Sequence, residues 1–204
     1  MQLDSYKKSA VIFLATYLLL RVLPDFVFWR NLEAFYSYLF ECIFVFSVYF
    51  FFKAQVRFLF LKEDLYFSFL PALIGGFLIH QLATRSGIVI PFNLSSPETI
   101  FLLLILAPIL EEFIFRMALW EPLSVLFKSK SNVLILTSVL FSLGHFMAFF
   151  VVPYEYRVFV LYQTLYVILL GLACGWRRWV TGSVLSAIFL HFGFNLGFLI
   201  AAKL

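Results

Sequence analysis

Charge is scarce in this chain: 13% of its 204 residues are Asp, Glu, Lys or Arg, 64% are hydrophobic, and the mean hydropathy is +1.02. A water-soluble domain of this size has no interior large enough to hide that much apolar surface, so the composition excludes one. Cysteine is nearly absent. Cys42 and Cys174 both fall within apolar runs, where they read as small packing residues rather than as a disulfide or a metal pair. The polar alternation that a membrane barrel requires is missing, as the run from Ile100 to Ala107 illustrates. No basic cluster is arranged to read bases, and the net charge of +4 is accounted for by contact with anionic lipid. Repeats, low-complexity tracts and long linkers are lacking as well, so 1–204 reads as a single membrane domain.

What the chain does have is apolar runs of helical length. About 20 residues of helix cross a hydrocarbon layer of about 30 Å. Seven runs qualify, at about 9–28, 35–52, 65–83, 97–120, 132–152, 158–176 and 183–202. The expected fold is therefore all-α, a polytopic bundle of about seven transmembrane helices. The first run lacks a small-residue cleavage pattern and reads as a retained helix. Ser96 and Pro97 suit the cap and first turn of the fourth. With the amino terminus cytoplasmic, the inside segments hold nine cations: Lys7, Lys8, Lys53, Arg57, Lys62, Lys128, Lys130, Arg177 and Arg178. The outside segments hold four: Arg30, Arg85, Arg157 and Lys203. That asymmetry is the one retained in short cytoplasmic loops, and it places the chain in a cell membrane as a multi-pass protein.

Ionisable groups inside a bilayer are costly unless paired or hydrated, so their positions carry the functional reading. The fourth run holds Glu111, Glu112 and Arg116, the fifth Phe141 and His145, the seventh His191 and Asn195. Successive helical residues point ~100° apart, so Glu111 and Glu112 face different partners. Glu112 and Arg116 are spaced i, i+4 with the acid first, the order that favours a salt bridge. Glu112 is thus expected to be structural, and Glu111 to be the carboxylate available as a general base. His191 and Asn195 share a helix face and could both donate to a developing oxyanion. Together these groups suit attack of water on an amide. Glu111, His145 and His191 also match a ligand set for catalytic zinc, although the compact H-E-x-x-H spacing is absent; no cofactor is required by the sequence.

Read in order, the three motifs resemble the CPBP family of membrane proteases, which includes CAAX prenyl endopeptidases and bacteriocin-processing enzymes. E-E-x-x-x-R is Glu111, Glu112 and Arg116; F-x-x-x-H is Phe141 and His145; H-x-x-x-N is His191 and Asn195. The resemblance extends to Gly171, Gly175 and the Thr181-Gly182-Ser183 turn, covering roughly 105–200. It implies glutamate-dependent peptide hydrolysis, with Glu111 and His145 activating water and His191 and Asn195 stabilising the oxyanion. Met117 departs from the glycine that many members carry after the arginine. Residues 1–94 resemble nothing specific and are expected to be accessory helices beside a catalytic core at 95–202.

The leading expectation is an intramembrane endopeptidase acting on a membrane-anchored or lipidated peptide, in a bacterial inner membrane given the short chain. The alternative is a catalytically inactive relative acting in bacteriocin immunity or partner binding; a proton-coupled transporter is disfavoured by the lack of inverted repeats. Plainer roles fit the remaining polar groups. His80 reads as packing or interfacial, Arg21 and Asp25 as a snorkelling pair, Gly171 and Gly175 as close helix contacts, and Glu41 as ambiguous.

Overall fold

A computed structural model describes residues 2–27, 34–52 and 62–204. The side chains of Arg21 and Asp25, and Arg30, Lys53 and Arg57 from the charge count, lie outside the described residues. The described residues form seven helical rods. They are α1 (Gln2–Val27), α2 (Ala34–Phe52), α3 (Leu65–Arg85), α4 (97–126), α5 (Lys130–Phe150), α6 (Tyr154–Thr181) and α7 (Val184–Lys203). Among the described residues, α3, α5, α6 and α7 are each long and apolar enough to cross a membrane. The chain is an all-helical membrane protein.

Local chemistry sets the helix ends. Ser96 Oγ accepts from the Thr99 N–H with Pro97 in the first turn of α4, and Ser129 Oγ accepts from the Asn132 N–H to start α5. α6 continues past the expected stop at Trp176 to Thr181, where Gly182 takes φ +69° and returns its N–H to the Arg178 carbonyl at 3.0 Å. α4 likewise passes Trp120 and ends at Leu126. It is not a uniform α-helix: π turns at Leu102–Leu106 and Ile114–Ala118 bracket the α-helical segment Ala107–Phe113 that carries the two glutamates.

Lipid-facing stripes run along the outside of the bundle. Ile74, Leu78 and Leu82 on α3 are each more than half exposed, and Leu165 and Leu169 on α6 are exposed by 70% and 65%. In water such surfaces would aggregate; in hydrocarbon they are solvated. Between helices the drive is close packing. A Cβ on Gly76 would lie 1.8 Å from the Phe194 carbonyl oxygen, and one on Gly197 1.9 Å from that of Leu73, so α3 and α7 touch backbone to backbone. A Cβ on Gly171 would lie 3.2 Å from Ser138 Cα, and one on Gly175 2.4 Å from a Leu134 methyl, which brings α5 and α6 together.

At one end of the bundle Asp64, fully buried before α3, ties three helices. It pairs with Arg177 of α6, accepts from Ser186 Oγ of α7 at 2.7 Å and from Ser68 Oγ of α3 at 3.3 Å. This clamp was not foreseen, because Asp64 lies at the edge of its apolar run and resembles an ordinary loop charge. α1 joins through Tyr17, whose ring is 4.9 Å from Phe44 of α2 and 6.4 Å from Phe115 of α4.

Candidate active site

The two neighbouring glutamates of α4 have opposite environments. Glu112 is sealed, with its Oε2 3.0 Å from Arg116 Nε, and both side chains are 1% or less exposed. Its other oxygen, Oε1, accepts from His191 Nδ1 at 2.9 Å. Arg116 continues the network by donating from Nη2 to the Gly171 carbonyl at 2.9 Å, and its own carbonyl accepts from Arg178 Nε at 3.1 Å. Glu112 therefore holds α7 and α4 together as well as neutralising Arg116. Met117, the departure in the first motif, is buried against Val184 and does not line the cavities.

Glu111 points the other way. Its carboxylate, 28% exposed, lies 4.0 Å from His145 Nε2 and 3.8 Å from His191 Nε2. The remaining nitrogens are committed: His145 Nδ1 lies 3.1 Å from the Phe141 carbonyl, which can only accept, so that nitrogen carries the proton. His191 Nδ1 donates to Glu112 in the same way. In the neutral rings both Nε2 lone pairs thus face the Glu111 carboxylate. Three acceptors converging at about 4 Å call for something between them that donates protons or accepts electron pairs, and a water molecule meets that need. Phe141 keeps the imidazoles apart, with its ring centroid 4.9 Å from His145 and 5.9 Å from His191.

Asn195 completes the cluster through a backbone irregularity. In the π turn the Ala107 N–H bonds the Leu102 carbonyl five residues back. The next carbonyl, Leu103, would need an N–H from residue 108, but Pro108 has none. Asn195 Nδ2 fills the gap, donating to the Leu103 carbonyl at 2.7 Å. One amide hydrogen is held there, and the second remains available to the cavity.

Two cavities meet at Glu111 and His145. The first, about 360 Å³, is lined by Glu111, His145, His191, Asn195, Tyr166 and Phe194; the second, about 420 Å³, by Glu111, His145, Tyr17, Glu41, Gly144 and Gln163. Gln163, Tyr166 and Tyr17 were passed over in the sequence. Gln163 alone had a readable signal, a carboxamide inside an otherwise apolar run. Glu41, ambiguous in sequence, is buried and faces the second cavity. His80 packs edge-on against Phe198 at 4.8 Å and does not itself line either cavity.

A zinc ion fits the donor chemistry of Glu111, His145 and His191, since each histidine directs an Nε2 lone pair inward while its other nitrogen is anchored. Their 3.8 and 4.0 Å separations from Glu111 fall between the edge of a tetrahedral zinc shell, about 3.4 Å, and the spacing of two groups sharing one water, about 4.6 Å. A different trio, Glu112, Cys174 and His191, also brings ligand atoms within 4.8 Å of one another. The adjacent Arg116 guanidinium disfavours a cation there.

No curated protein and no solved structure matches the chain. Residues 93–197, half of the chain and the part that carries all three motifs, match the family described as type II CAAX prenyl endopeptidase Rce1-like. With that match falling on the cluster just described, the chain belongs to the type II CAAX prenyl endopeptidase Rce1-like family of membrane proteases.

Proposed function

We propose that the chain is an intramembrane endopeptidase that hydrolyses a peptide bond in a membrane-anchored or lipidated substrate, with Glu111 as general base. The observation that carries this reading is the Glu111 carboxylate lying within 4.0 Å of two inward-facing Nε2 atoms at the meeting point of two cavities. A water between Glu111 and His145 gives its proton to Glu111 as its oxygen bonds the scissile carbonyl carbon. The developing oxyanion takes the second Asn195 amide hydrogen. His191 donates to it from Nε2 when that nitrogen carries a proton, its Nδ1 proton being held by Glu112. Glu111 then passes its proton to the departing amine as the C–N bond breaks. Bound zinc, held by Glu111, His145 and His191, would supply Lewis acidity to the water and the carbonyl.

All seven rods serve as crossings in this reading, with the amino terminus cytoplasmic and residues 95–202 as the catalytic core. α4 crosses despite Glu111, Glu112 and Arg116 because these groups face the bundle interior. Residues 1–94 add the wall of the second cavity through Tyr17 and Glu41.

The test is direct. Purified protein in lipid nanodiscs is incubated with a synthetic lipidated peptide and the products are read by mass spectrometry. A single new carboxyl terminus, formed by wild type and lost in Glu111→Gln and His145→Ala, supports the reading; cleavage unchanged by both substitutions removes it.

A further inference from the structure

A third cavity, of about 280 Å³, lies away from the catalytic cluster, at the end of the bundle where Asp64 pairs with Arg177. It opens between the turn joining α4 to α5 and the turn joining α6 to α7. Lys128, Lys130 and Arg178 line it, with Trp120, Trp179 and Ser124. Among the described lining residues there is no carboxylate. Arg178 is already engaged: its Nη2 meets Glu121 Oε1 at 3.2 Å and its Nε the Arg116 carbonyl, with its guanidinium 6.0 Å from the Trp120 ring. Arg178 is buried, so it forms the floor; Lys128 and Lys130 are exposed and stand at the rim.

Three physical facts point to one ligand class. Two exposed ammonium groups beside a concavity attract an anion. Tryptophans at the end of a transmembrane bundle sit at headgroup depth, and Trp179 is 37% exposed. Basic pockets between transmembrane helices at the interface suit phosphorylated headgroups. The volume is near the lower end of the ~300–1,000 Å³ range of ligand pockets, enough for a phosphate and a small headgroup while acyl chains lie along the outer helices. We propose that this cavity is a binding site for a phosphate ester, the headgroup of an anionic phospholipid, held by Lys128 and Lys130 over the Arg178–Trp120 floor. It is independent of the hydrolase reading.

The experiment uses the full chain in detergent, titrated with phosphatidylglycerol or phosphatidylcholine and read by native mass spectrometry. Wild type should retain phosphatidylglycerol in preference to phosphatidylcholine, and Lys128→Gln/Lys130→Gln should lower that preference about tenfold or more. Lys7→Gln/Lys8→Gln removes the same charge from another exposed site and should leave the preference intact. Equal loss in both double variants, or no loss in the first, overturns the proposal by reducing it to general surface charge. Inorganic phosphate distinguishes the source: failure of millimolar phosphate to displace the lipid supports the headgroup, whereas ready displacement overturns the lipid assignment in favour of a free phosphate ligand.

Discussion

Glu112 Oε1 accepts from His191 Nδ1 at 2.9 Å while Oε2 of the same carboxylate pairs with Arg116 at 3.0 Å. One buried side chain therefore links α4 and α7, fixes which imidazole nitrogen of His191 faces the cavity, and balances a fully buried guanidinium. Removing only one partner leaves an uncompensated charge.

Glu112→Gln should accordingly destabilise the fold by about 3–5 kcal/mol, measured by thermal unfolding in detergent. Glu112→Gln combined with Arg116→Met removes both charges and should recover much of that loss. Activity should not recover with it, because His191 still lacks its carboxylate acceptor. Recovery of both together would show that Glu112 acts on stability alone.

Pro108→Ala should separate stability from catalysis in the opposite sense. An N–H at residue 108 competes with Asn195 for the Leu103 carbonyl, and an alanine favours the helix. The variant should be at least as stable as wild type, with kcat reduced on the order of tenfold and KM little changed. Asn195→Ala, which removes the amide altogether, should cost about 10²–10³ in kcat.

Much of this was legible in the sequence. The run lengths disclosed seven helical segments, and the i, i+4 spacing of Glu112 and Arg116 disclosed their pairing. The His191–Glu112 bond was hidden because it joins residues 79 apart in the chain, and helix spacing says nothing about contacts between helices. Asp64 was hidden for the same reason. The Asn195–Leu103 bond depends on a π turn, and no residue pattern in 102–106 announces one; only Pro108 signals a break nearby. The close contact of α3 with α7 was missed because Gly76 and Gly197 belong to different helices, while Gly171 and Gly175 share one.

That contact makes a sharp prediction. Gly197→Ala places a methyl 1.9 Å from the Leu73 carbonyl oxygen and should destabilise the bundle on the order of 3 kcal/mol. Gly144→Ala meets nothing within 4 Å and should stabilise α5 by about 0.5–1 kcal/mol. Thermal unfolding of the two variants side by side measures the difference.

The spacing about Glu111 falls between the edge of a tetrahedral zinc shell and that of two groups sharing one water, and the general-base role proposed for Glu111 needs its carboxylate free for water rather than held by an ion. Peptide cleavage is therefore expected to survive prolonged dialysis against a chelator. Loss of activity that added zinc restores would instead make the ion part of the site.

The role of Glu111 is tested most directly by single-turnover cleavage with saturating enzyme, comparing wild type with Glu111→Gln. The account predicts a chemical step slowed by about 10²–10⁴, with substrate affinity and unfolding temperature unchanged. A chemical step of equal rate in the two proteins would contradict it.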